Sequence, residues 1–160
     1  MFYLLPIALL IFANADATIV TAPSKVTTAP LHQAPPAHTS LSIGGHVLDV
    51  ELATDEPSRE KGLMDCTSLE LNQGMLFVFP RAKQVHFWMK GTALPLSAAY
   101  INSSGRIIEI HDLKPFNEQL IPSSSSNIAY VLEVRRGWFL ENQVLAGDIV
   151  TGLPSPSSAR

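Results

Sequence analysis

Between residues 41 and 153 apolar and polar side chains alternate with a period of two, and proline or glycine breaks the pattern at short intervals. This restricts the fold more than any other feature of the chain, because long helices cannot form across it. His46-Val47-Leu48-Asp49-Val50-Glu51-Leu52-Ala53 places Leu48, Val50 and Leu52 on one face and Asp49 and Glu51 on the other, as in a half-buried strand. Gly44-Gly45 before it predicts a hairpin from a short strand at Leu41–Ile43. Further strands are expected at Met75–Phe79, Val85–Met89, Leu96–Ile101, Arg106–Leu113, Ile128–Val134 and Ile149–Val150, with Asn102-Ser103-Ser104-Gly105 as a hairpin turn. One short helix is expected, capped by Thr54 or Asp55, with Glu56 in its first turn, Pro57 near its start and Gly62 at its end. The fold class is therefore mainly β (α+β), a compact antiparallel barrel or sandwich with one or two short helices.

The flanks obey other rules. All of residues 1–15 except Pro6 and Asn14 are hydrophobic, and the run ends in Ala13-Asn14-Ala15, the pattern of a secretory signal peptide. Cleavage after Ala15 or Ala17 would begin the mature chain at Asp16 or Thr18. A retained anchor is the competing reading, but a span needs about 20 apolar residues, and Asn14 and Asp16 interrupt the run early. Residues 16–40 hold Pro23, Pro30, Pro35 and Pro36 among Thr, Ala and Ser, a composition that cannot bury enough surface to offset its ordering entropy. They are read as a disordered linker, and residues 154–160 as a disordered tail. The implied location is periplasmic or extracellular, with no stable membrane span once the signal is removed.

Charge and cysteine narrow the partners. Eleven Lys+Arg against fourteen Asp+Glu give a formal net charge of -3, and Arg135-Arg136 is the only basic cluster, so nucleic acid is not expected. The single Cys66 allows no intrachain disulfide and no zinc site built from cysteine pairs. No phosphate-cradling glycine loop, His-Glu-x-x-His or Gly-x-Ser-x-Gly occurs.

Several blocks carry a resemblance. Arg59-Glu60-Lys61-Gly62-Leu63-Met64, Gly74-Met75-Leu76-Phe77-Val78-Phe79, Phe87-Trp88-Met89-Lys90, Pro95-Leu96, Ala129-Tyr130-Val131-Leu132-Glu133 and Gly147-Asp148 resemble, in order and spacing, the motif series of the DUF192 (UPF0127) family. The resemblance implies a small β-rich domain, often exported in bacteria, without an established biochemical function. This chain departs from that pattern at Gly91, where Asn is usual, at Ser97, where Asp is usual, and at Cys66, a position often basic.

The same blocks hold the candidate site. Alternation in Val85-His86-Phe87-Trp88-Met89-Lys90 sets His86, Trp88 and Lys90 on one face and Val85, Phe87 and Met89 on the other. Trp88 beside Lys90 forms an aromatic platform with a cation, suited to a sugar ring or an anion, and Thr92 can add a hydroxyl. Packing explains the same pair if Trp88 is half-buried and Lys90 reaches solvent. Glu133 lies on a central strand, where a carboxylate is costly unless paired. Lys90 or Arg59 is the expected partner, and the pair is either a structural ion pair or the centre of a general acid or base. The ligand-binding candidates are thus Trp88, Lys90, Thr92, Glu133 and Arg59, with Glu133 and Lys90 the catalytic candidates. Met64, Met75, Met89 and His86 offer a weaker alternative, soft ligands for Cu(I) or Ag(I), although methionine also fills small cores. No cofactor is required, and a monomeric module binding a small molecule or envelope ligand is expected, with an enzyme acting on carbohydrate or peptide as the alternative.

Overall fold

The computed structural model describes residues 37–156 and residue 159. The proposed signal peptide and nearly all of the proposed linker lie outside the described residues.

Among the described residues the domain has nine strands and two short helices. The strands are β1 (His38–Ile43), β2 (His46–Ala53), β3 (Gln73–Lys83), β4 (His86–Phe87), β5 (Leu96–Ile101), β6 (Ile107–Leu113), β7 (Ile121–Pro122), β8 (Ile128–Arg135) and β9 (Val150–Thr151). The helices are α1 (Glu56–Lys61) and α2 (Trp138–Glu141). Seven strands form one sheet in the order β6-β5-β8-β3-β2-β1-β9, and β4 pairs with β7 apart from it. The ends of this sheet meet: Arg106 bridges Ile149, Val150 N–H donates to Gly105 O at 2.8 Å, and Ile107 N–H donates to Asp148 O at 2.9 Å. The sheet thereby curls on itself, its two ends joined at 105–107 and 147–150. The expected antiparallel pairing holds except between β2 and β3, which are parallel and joined through α1.

Both faces of the central strands are covered. Leu41, Leu48, Val50, Leu76, Tyr130, Leu132 and Trp138 fill the barrel interior. On the outer face of β3, β5, β6 and β8, Met75, Phe77, Ala98, Tyr100, Leu113 and Val131 form a second apolar layer under α1 and the segments around β4 and β7. Seven of the eight residues of β8 are consequently buried, and Glu133 is one of them.

Three departures from the sequence reading have local causes. β1 begins at His38, so three residues expected in the linker pair with β2. β3 continues past Pro80 to Lys83 because a register shift between Val78 and Lys83 excuses the missing N–H of proline. The short α2 has no counterpart among the expected elements. It follows Gly137, whose φ of 87° turns the chain, and it buries Trp138 and Phe139. The N–H of Gly137 donates to Ser97 Oγ at 3.1 Å, and that hydroxyl donates to Asp112 Oδ1 at 2.6 Å. A carboxylate from the neighbouring strand β6 thus stands beside Ser97.

Candidate functional site

The second apolar layer is interrupted by a cleft of about 350 Å³ between α1 and the segment 84–92. Local hydrogen bonding builds each wall. Asp55 caps α1: Ser58 N–H donates to Asp55 Oδ1 at 2.8 Å, and Asp55 N–H donates to Ser58 Oγ at 3.2 Å. Arg59 fastens the helix to the barrel, donating to Thr54 O at 2.8 Å and to Val78 O at 3.0 Å, while pairing with Glu56 at 2.9 Å. That pairing holds the Glu56 carboxyl below its ordinary range.

The opposite wall hangs on Ser123. Its N–H donates to Val85 O at 2.9 Å, and its Oγ accepts from Val85 N–H at 3.1 Å and donates to Ser125 O at 2.8 Å. The alternation expected in this wall is present: Val85 and Met89 are buried, while His86, Trp88 and Lys90 are exposed. Trp88 is 43% exposed, and Lys90 Nζ stands 5.3 Å from its ring centroid. Gly91, with a φ of 64°, turns the chain close over Met64. Thr92 is buried beyond this turn, its hydroxyl 3.4 Å from Lys90 O. Phe77 and Phe87 meet edge to face at 4.9 Å along the inner wall.

Glu133 lines the floor. Met75 and Ala98 are its cross-strand neighbours, and the residue is only 4% exposed. Among the described residues no cation and no hydrogen-bond donor holds its carboxyl. Burial alone pushes this acid up to about 8. Nearby, the Tyr100 hydroxyl is buried and, among the described residues, without a partner. Burial, followed by the Glu133 and Glu109 carboxyls, raises it above its ordinary range.

The site residues read from sequence therefore divide. The cleft gathers Trp88, Thr92, Glu133 and Arg59, together with Met64 and His86, whereas Lys90 is not among its lining residues. The expected ion pair between Glu133 and Lys90 or Arg59 does not form. Arg59 is committed to Glu56 and two carbonyls, and Lys90 lies over Trp88. Of the soft-metal candidates, Met75 and Met89 are 4% and 1% exposed in the outer apolar layer, and His86 faces solvent. Among the described residues no group of three or more His, Cys, Asp or Glu is placed to hold a metal ion. Sequence reasoning missed Tyr100, Lys83 and Leu120. Only Tyr100 carried a signal: it shares the parity of Ala98, the strand neighbour of Glu133.

A curled seven-stranded sheet with a lateral cleft over a buried acid defines a small β-rich domain. Residues 37–152 match DUF192, described as "Uncharacterized ACR", and the chain belongs to that family. It is similar to a solved structure from Sinorhizobium meliloti 1021, named as a candidate transcription regulator. The identity is 37%, coverage is 75% of this chain and 97% of the other, and the TM-score is 0.71. A second solved structure, a protein of unknown function from Novosphingobium aromaticivorans DSM 12444, is 25% identical. It covers 87% of this chain and 99% of its own, with a TM-score of 0.65. No curated protein matches the chain.

Proposed function

We propose that the protein is an exported accessory module of the cell envelope that binds a small molecule in the cleft above Glu133. One observation carries this reading: a carboxyl that is 4% exposed, unpaired among the described residues, and open to a cavity rather than sealed in the core. Burying an acid without a partner costs several kcal/mol, and a ligand that hydrogen-bonds the carboxyl offsets part of that cost. Trp88 supplies a ring face at the mouth, and Thr92 and Arg59 stiffen the walls. Export is supported by the signal-like pattern of residues 1–15. Among the described residues no helix is long and apolar enough to cross a membrane. The regulator description of the Sinorhizobium protein is not carried over, because acidic residues outnumber basic ones in this chain.

A protonated acid near neutral pH also suits a general acid, which keeps the enzyme reading in play. An NMR fragment screen on the mature chain tests the binding reading. Shifts should concentrate at Trp88, Thr92, Gly62 and Glu133 and vanish in Glu133→Ala, which should remain folded. Shifts scattered elsewhere contradict it, and turnover of a bound fragment that is lost in Glu133→Gln makes the protein an enzyme. Mass spectrometry of the exported protein should find Asp16 or Thr18 at its N-terminus; an intact Met1 contradicts cleavage.

A further inference from the structure

The charge balance of the chain reverses at the cleft mouth. Fourteen Asp+Glu face eleven Lys+Arg in the whole sequence. Around the mouth, Arg59, Lys61 and Lys83 stand against Glu56 and Glu60, while the third acid, Glu133, lies buried at the floor. Glu56 is already taken by Arg59. Lys83 forms no ion pair among the described residues; its ammonium lies 5.1 Å from the Phe79 ring centroid, held over the aromatic face. Lys90 stands in the same way over Trp88.

These contacts bear on which ligand charge the cleft admits. An entering ammonium would find two outer ring faces occupied by the protein's own cations and would be repelled by them. An anionic group would meet Lys83 directly. At the floor the preference differs, because a carboxyl buried beside Met75 and Ala98 with no cation holding it among the described residues favours an uncharged oxygen to hydrogen-bond and disfavours a second anion. A cleft of about 350 Å³ lies at the small end of ligand pockets and accommodates one ring with two short polar ends.

Resting on the reading of this cleft as a ligand site, we propose that its ligand is a small monoanionic ring compound. Its acid group pairs with Lys83 at the mouth, its ring lies against Phe77, Phe87 and Trp88, and an uncharged hydroxyl or carbonyl reaches Glu133.

Three probes of one shape and three charges test this: 4-hydroxyphenylacetate, 4-hydroxyphenylacetamide and tyramine. Each is titrated at millimolar concentration into the mature protein at neutral pH and followed by amide and indole NMR shifts. The anion should bind best, by about fivefold over the amide, the range of one exposed ion pair, and tyramine worst. Lys83→Gln should erase the advantage of the anion and leave the amide unchanged, while Lys83→Arg should keep it. Tightest binding of tyramine, or an unaltered ranking in Lys83→Gln, overturns the anionic assignment and leaves the cleft as a ligand site. Failure of all three probes to move the cleft resonances overturns the assignment and counts against the cleft itself.

Discussion

The two apolar layers of this domain share the same central strands and treat polar atoms in opposite ways. Inside the barrel each polar end has a partner: the Tyr130 hydroxyl donates to Pro154 O at 2.8 Å, and Trp138 Nε1 donates to Asn72 Oδ1 at 3.3 Å. In the outer layer, among the described residues, the Tyr100 hydroxyl and the Glu133 carboxyl have none. A fold needs the first arrangement, because unsatisfied buried groups destabilise it. The second weakens the domain by about 1–3 kcal/mol per group, so the layer that carries it is where a purpose other than folding is to be sought. Neighbouring residues of a single strand serve both layers, Leu132 inside and Glu133 outside.

Substitutions can break or sharpen this contrast. The largest effect belongs to the interior: Leu132→Ala should cost about 2–5 kcal/mol in urea unfolding, and a loss under about 1 kcal/mol would mean that the barrel core is not the main source of stability. Next comes Gly74→Ala at the junction of the layers. A Cβ there would lie 2.5 Å from Glu133 O and 3.1 Å from Val134 Cγ1, forcing β3 away from β8. The expected cost is about 1–3 kcal/mol, read as a lower melting temperature.

The outer layer should respond in the other direction. Glu133 has a folded pKa above its ordinary value, so the folded state binds the extra proton. The stability this provides is fully present below the unfolded pKa of 4.5 and is lost as pH rises toward 8. Glu133→Gln cannot ionise. It should therefore match the parent near pH 4 and melt higher near pH 8, with a difference on the order of 1.4 kcal/mol for every tenfold weakening of the acid on folding. Equal melting temperatures at both pH values would deny the acid its buried, un-ionised state. The smallest effect is expected for Tyr100→Phe, which removes a hydroxyl with no partner among the described residues and should be neutral or stabilising by about 1 kcal/mol. A clear destabilisation would reveal a hydrogen bond to that hydroxyl.

Much of the barrel was legible because its signals are local. Alternation places β2 at its observed bounds, and Asp55, Pro57 and Gly62 mark α1 at both ends. β5 and β6 follow from the turn at Asn102–Gly105, where Asn102 Oδ1 accepts from Ser104 and Arg106 N–H at 3.0 Å each. What stayed hidden depends on pairing at a distance. The parallel contact of β2 with β3 leaves no mark in either segment, and the four-residue α2 is too short for a helical period. For the site, alternation exposed His86, Trp88 and Lys90, and the central-strand position of Glu133 pointed to its burial. It could not supply the acid's neighbours, and the rule that buried charges are paired led to an ion pair the structure lacks. The rule fails here because burial keeps the acid un-ionised, so there is no charge to pair.

The reading of the cleft rests on a Glu133 carboxyl buried without a partner, which carboxyl ¹³C NMR of Glu133 across a pH titration tests directly. A midpoint near 8 is the result expected from the buried and unpaired carboxyl. A midpoint near the ordinary value of 4.5 would place an ionised, partnered carboxylate at the floor and contradict the reading of the cleft.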